Sequence, residues 1–383
     1  MPTTDLDLTW LLWSLPVAFA LGWVASRFDV RQWRMARQSP KAYFRGLNYL
    51  LNEQQDQAID AFIEAVQGDP DTAELHFALG NLFRRRGDYD RAVRVHEHLL
   101  ARADISQKDR DRAQHALALD FLKAGLIDRA EAALHKLSGT AFENEALLAL
   151  LALYERSRDW TQAQGVARQL GNAGQGSFDN RLAHHLCEQA DQALRAGDAT
   201  LATQRLTEAT RQAPQLARVW IALSELRMQQ GDPIGGLDAL FQLSQHAPQG
   251  VPLAAQLLVS LGQQTGQTER VLALLQACDA RAPSLDVTEA LASLSSNPAQ
   301  ARACYLRHLE REPSLVVASQ WLAGETLSQP EAQPRVQAAL EQASDPLKRY
   351  RCAACGFEAR RYFWQCPGCH AWDSYPARRV EEL

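Results

Sequence analysis

A pattern that returns every thirty-four residues constrains this chain more than any other feature. From Ser39 to Pro70 the sequence reads as two short amphipathic helices. Gly46 and Tyr49 lie on the first helix; Ala58, Phe62 and Ala65 lie on the second; Pro70 ends the unit. One period on, Gly46 becomes Gly80, Tyr49 becomes Phe83 and Ala58 becomes Ala92. Small residues where two helices cross let the backbones approach, and the aromatic fills the gap to the next pair. A single hairpin cannot bury its own apolar face, so hairpins must stack into an array.

That period and placement of small and large residues resemble the tetratricopeptide repeat. A third unit spans 111–138, after an insertion at Ile105–Asp109, and a fourth spans 144–171. Units at 183–214 and 217–248 keep good register, with Pro214 and Pro248 one period apart. Gly87-Asp88, Gly197-Asp198 and Gly231-Asp232 each read as a glycine C-cap followed by an aspartate N-cap. Weaker helix pairs cover 251–280, 286–311 and 315–343. The expected fold is therefore all-α: eight or nine helix pairs over residues 39–345, wound as a right-handed superhelix with a concave binding surface. Gly171–Ser177 (GNAGQGS) reads as a possible joint; it has neither the GxxxxGK[ST] pattern nor the preceding strand of a phosphate-binding loop.

The hydrophobic share of 46% and charged share of 22% predict a folded chain, and a net charge of −5 gives no reason to expect nucleic acid. Candidate catalytic chemistry is thin. His96-Glu97-His98 puts its histidines on different sides of a helix, unlike HExxH. His184, His185 and Cys187 are crowded but read as packing, and Cys187, Cys278 and Cys304 read as small core residues. Arg84-Arg85-Arg86 reads as a solvated helix end, with an acidic partner as the alternative. Tyr43, Leu47, Phe77 and Leu119 stand where a chaperone-tail clamp needs Lys and Asn; only Asn81 suits. No nucleophile–base pair stands out, and no enzyme is expected.

At the N-terminus, Leu8–Ser26 is nineteen residues without a charge, about 28 Å as a helix and close to the thickness of a bilayer's hydrocarbon. Trp10, Trp13 and Trp23 lie near its ends. Asp5 and Asp7 precede it, whereas Arg27, Arg31, Arg34, Arg37, Lys41 and Arg45 follow it. A signal peptide would carry its basic residues first. The expectation is a transmembrane anchor over 1–26 and a basic connector over 27–38. The protein would then be a single-pass membrane protein with its N-terminus outside and its bulk in the cytoplasm. Ser39-Pro40 reads as an N-cap followed by Pro at the first helical position.

Residues 346–383 carry the strongest chemical signal. Cys352 and Cys355 form one CxxC pair and Cys366 and Cys369 another. Two residues between ligands let each pair wrap one side of a tetrahedral ion, and four thiolates suit zinc or a single iron. Gly356 and Gly368 are expected to permit the tight turns. So short a module needs the metal to fold. Phe357, Tyr362, Phe363, Trp364, Trp372 and Tyr375 are expected to dock it on the last helices, with His370 on the surface. The knuckles look like those of rubredoxin, with a shorter intervening loop.

Anchor, repeats, CAACG and CPGC in this order resemble the lipopolysaccharide assembly protein B family. The resemblance covers nearly the whole chain. It implies a regulatory inner-membrane adaptor that promotes turnover of the lipid A deacetylase (LpxC-type) by a membrane AAA+ protease (FtsH-type). It also implies that other lipopolysaccharide-synthesis or transport proteins are gathered nearby, and that Cys352, Cys355, Cys366 and Cys369 bind one metal ion, iron or zinc. A rubredoxin-like electron-transfer protein and a general co-chaperone stand as alternatives.

Overall fold

A computed structural model describes residues 16–20, 23, 41–42, 44–52, 54–68, 72–325 and 331–383. The described chain is mostly helical and tetratricopeptide-like, in two compact units: one ends at Arg156 and the other runs Ser157–Leu383. Most of Leu8–Ser26, all of the 27–38 connector, Ser39-Pro40 and Tyr43 lie outside the described residues. Among the described residues no helix is long and apolar enough to cross a membrane. The transmembrane helix, and with it the single-pass inner-membrane topology expected from the sequence, is corrected on that finding.

In the first unit a helical segment at 44–51 precedes α1 (Gln55–Gly68), α2 (Ala73–Arg86), α3 (Tyr89–Ala101), α4 (Gln107–Ala124), α5 (Ile127–His135) and α6 (Glu143–Ser157). The small residues of the repeat sit where expected. A Cβ on Gly46 would lie 2.8 Å from the Phe62 ring, and one on Gly80 would lie 2.5 Å from His96 Nε2. Phe62 and His96 are one period apart, so a histidine fills the aromatic's place in the second repeat. Its Nδ1 meets Asp120 Oδ2, and both side chains are fully buried. Arg84 completes the group, donating to Asp120 Oδ1 at 2.9 Å and to the Ala116 carbonyl at 3.0 Å. Arg84 is thus tied into α4 rather than solvated as the sequence suggested. Arg86 pairs with Asp56 and, at 3.5 Å, with Asp88; Asp88 caps α3 by position but accepts no cap hydrogen bond.

The second unit contains α7 (Trp160–Asn172), α8 (Asp179–Arg195), α9 (Ala199–Gln212), α10 (Ala217–Gln229), α11 (Pro233–His246), α12 (Val251–Thr265) and α13 (Thr268–Arg281). It continues through α14 (Leu285–Ser293), α15 (Pro298–Arg311), α16 (Leu315–Ala323) and α17 (Gln333–Ser344). The segment 171–177 connects α7 to α8 inside this unit. Here the expected caps form: Asp198 accepts from Leu201 N at 2.9 Å and Asp232 from Gly235 N at 2.8 Å. A continuous core runs through Leu237, Leu240, Leu243, Leu258, Leu261, Val271 and Leu275, all fully buried. Each such side chain contributes about 1.5–3 kcal/mol by leaving water. The repeat pattern fades after Val251, but apolar stacking continues to α16 through Val287, Leu291, Val316 and Val317.

Candidate metal centre

After α17 the chain makes two small hairpins. β1 (Tyr350–Arg351) pairs antiparallel with β2 (Glu358–Ala359), and Gln365 bridges to Trp372. Each hairpin holds a CxxC pair at its turn, with matching backbone bonds. Cys352 N donates to Phe357 O at 2.9 Å and Gly356 N to Cys352 O at 2.8 Å; Cys366 N donates to Ala371 O and His370 N to Cys366 O, both at 2.9 Å. These bonds curl the chain so that both sulfurs of a pair face the other hairpin.

The residue four places after the first cysteine must turn left-handed in each knuckle. In the first it is Gly356, at φ 77°; in the second it is His370, at φ 60°. Gly368, which the sequence suggested for this role, does not occupy that conformation. Only glycine takes left-handed φ without cost, so His370 carries local strain.

The four Sγ atoms lie within 4.8 Å of one another. Cys352 to Cys369 is 3.8 Å and Cys355 to Cys366 is 3.7 Å. An ion held tetrahedrally at about 2.3 Å from each sulfur would separate the sulfurs by about 3.8 Å. The four cysteines are therefore arranged to bind one metal ion, and the all-sulfur donor set suits either zinc or iron. Cys352 and Cys366 are buried while Cys355 and Cys369 face solvent. Burial disfavours a Cys352 thiolate, but its contact with the Ser374 hydroxyl and the backbone N–H groups of Cys355 and Ala354 outweigh it and bring the thiol down to about 6. At Cys355 the Phe357 N–H favours the thiolate, yet the neighbouring sulfurs of Cys369, Cys366 and Cys352 outweigh it and push the thiol up to about 12. One thiolate opposes the next until a cation arrives, so metal uptake must release protons.

The module docks, though not only on the last helices. Trp372 stacks on His184 of α8, ring centroids 4.4 Å apart, and meets Trp160 and His185 edge-on, each at 6.3 Å. His184 Nε2 is 2.8 Å from Asp373 Oδ1. Arg218 of α10 lies 3.2 Å from His184 Nδ1. A guanidinium can only donate, so Nδ1 accepts and the Nε2 proton goes to Asp373. Burial, opposed by Asp373, lowers the His184 pKa, which agrees with a neutral ring. The crowded histidines are thus the docking seat for the module. Trp364 packs on the core of α10–α14 and Tyr362 and Phe363 on the cluster that includes Leu253. Phe357, expected to dock, stays 43% exposed.

Beyond Tyr375 the chain returns to the helices and caps two of them. Glu382 Oε1 accepts from Leu285 N, at the start of α14, at 2.9 Å. Glu381 accepts from Leu315 N and from the Ser314 hydroxyl, at the start of α16. Arg379 grips Asp286 with both arms, at 2.6 and 3.1 Å, and lies 4.1 Å from the Tyr350 ring centre. Sequence reasoning singled out none of Asp286, Asp373, Arg379, Glu381 or Glu382. Of the clamp positions, Phe77 is buried in the core and Asn81 accepts from Arg84.

The profile of a rubredoxin metal binding domain matches residues 350–375, and that of a tetratricopeptide repeat matches 75–113. Over the full length, lipopolysaccharide assembly protein B of Escherichia coli (strain K12) is 32% identical, covering 99% of this chain and 100% of its own. The chain belongs to the lipopolysaccharide assembly protein B family. The protein of that name from Haemophilus influenzae is 26% identical, with 96% of this chain and 97% of its own covered. A tetratricopeptide repeat protein from Parabacteroides merdae ATCC 43184 superposes with a TM-score of 0.35 at 13% identity, covering 68% of this chain and all of its own; a score that low carries no argument.

Proposed function

We propose that this protein is a lipopolysaccharide-assembly adaptor. Its repeats hold the lipid A deacetylase and present it to an AAA+ protease, so that deacetylase turnover sets the rate of lipopolysaccharide synthesis. The observation that carries the reading is the full-length similarity to lipopolysaccharide assembly protein B, repeats and metal module together. Proximity supplies the mechanism: holding client and protease on one chain raises their effective concentration without any reaction by the adaptor itself. The metal, iron or zinc held by Cys352, Cys355, Cys366 and Cys369, fixes the two hairpins and so holds Trp372 and Asp373 against His184. Other lipopolysaccharide-synthesis or transport proteins would gather on the same array. Depleting the protein should lengthen the half-life of the deacetylase several-fold in a chase after bacterial translation is blocked, and wild-type protein should restore it. An unchanged half-life would overturn the proposal.

A further inference from the structure

A cleft of about 490 Å³ opens in the second unit, outside both the metal centre and its docking seat. Pro248 and Pro252 form one side, at the α11–α12 junction. Pro283 and Val287 form the floor, between α13 and α14, and Pro376 and Ala377 close it from the C-terminal segment. Its polar lining is Gln249, Ser284, Arg281 and Arg378, of which only the two arginines carry charge. Neither guanidinium has a hydrogen-bonded or ion-paired partner among the described residues, and no carboxylate lines the cleft. Two unpaired positive charges beside an apolar hollow, on a chain whose net charge is −5, form a local site of opposite sign to the whole.

We propose that this cleft docks an extended segment of a partner protein, one that places an apolar side chain in the hollow and a carboxylate on Arg281 and Arg378. The size suits one or two side chains rather than a multi-chain lipid. A phosphate would need a cradle of backbone N–H groups; prolines supply none, and the N-terminus of α14 is already taken by Glu382. A carboxylate needs only the planar guanidinium fork. The wall carrying Pro376 and Arg378 is held at both ends, by Tyr375 under the knuckles and by the Arg379–Asp286 pair, so the cleft is formed before any ligand arrives. The proposal adds a contact surface to the adaptor reading and does not depend on which proteins that adaptor serves.

Fluorescence anisotropy on the full-length, metal-loaded protein tests it. The probe is a fluorescein-labelled peptide with a phenylalanine flanked by glutamates, compared with the same peptide carrying glutamines. Saturable binding of the glutamate peptide is expected, with the glutamine peptide about tenfold weaker, the loss of a charge-assisted bond. Arg281→Gln and Arg378→Gln should each weaken it several-fold, bound peptide should slow alkylation of Cys278 on the cleft wall, and Arg281→Glu should shift preference to a lysine-flanked peptide. The wild-type comparison of the two peptides needs no variant to fold. No saturable binding, equal affinity for both peptides, indifference to both arginine variants, or displacement of the peptide by vesicles of anionic phospholipid would each overturn the proposal. Deacetylase turnover is read separately, so a failure here leaves the adaptor reading standing or falling on its own measurement.

Discussion

Asp373 Oδ1 stands 2.8 Å from His184 Nε2 across 189 residues of sequence, and this contact fastens the metal module to the repeats. Trp372→Ala, which removes the ring stacked on His184, should cost about 2–4 kcal/mol in the second unit. Urea unfolding and limited proteolysis would check it: the variant should release a fragment ending near residue 350 while wild type resists.

The same pair predicts a dependence on pH. The His184 pKa is lowered by burial, against the opposing pull of Asp373, so the unfolded state takes up a proton before the folded state does. The stability this gives is fully present above the unfolded value, about 6.5. It is lost as pH falls below that value toward the lowered folded one. His184→Asn should flatten this slope in a melting-temperature series from pH 8 to pH 5.

Removing a ligand should act on the whole C-terminal segment. Cys352→Ser is expected to abolish stoichiometric metal binding, expose Trp364 and Trp372 to fluorescence quencher, and stabilise the deacetylase in cells. Metal analysis of wild-type protein, with the visible spectrum that iron would show and zinc would not, identifies the ion. Wild-type turnover in a metal-free variant would contradict the structural role given to the cluster.

In the first unit, Asp120→Ala leaves Arg84 and the buried His96 without their shared carboxylate. Breaking a buried charged group in this way costs about 3–5 kcal/mol. Chemical denaturation should show it, and the metal content should not change.

His370→Gly is expected to gain up to about 1 kcal/mol, because glycine holds φ near 60° without strain. Slower metal loss to a chelator would confirm it; faster loss would show that the imidazole supports the knuckle.

Much of this was legible from local pattern. Gly46, Gly80, Phe62 and the prolines that end units mark the helix pairs because the period is short and the crossing sterics are strict. The four cysteines announce a common ion because CxxC spacing acts over a few residues. The docking seat was not legible. His184 and His185 lie far from Trp372 in sequence, and nothing in either stretch names the other. Glu381 and Glu382 look like any acidic tail until the starts of α14 and α16 are seen beside them. Gly368 misled because a glycine in a turn suggests a left-handed residue, whereas the bond pattern assigns that place to His370.

The carboxylates that cap α14 and α16 arrive late. Leu285 N waits for an acceptor 97 residues further on, and Leu315 N for one 66 residues further on. At ribosomal speeds of about 5–20 residues per second, the first interval alone lasts about 5–20 s. During synthesis, then, α14 and α16 pass through a period with their first amides open to water, and a nascent chain stopped short of residue 381 would leave them so for good. Quality-control proteases would meet that half-closed form, so the capping of α14 and α16 reports whether Glu381 and Glu382 have yet been made.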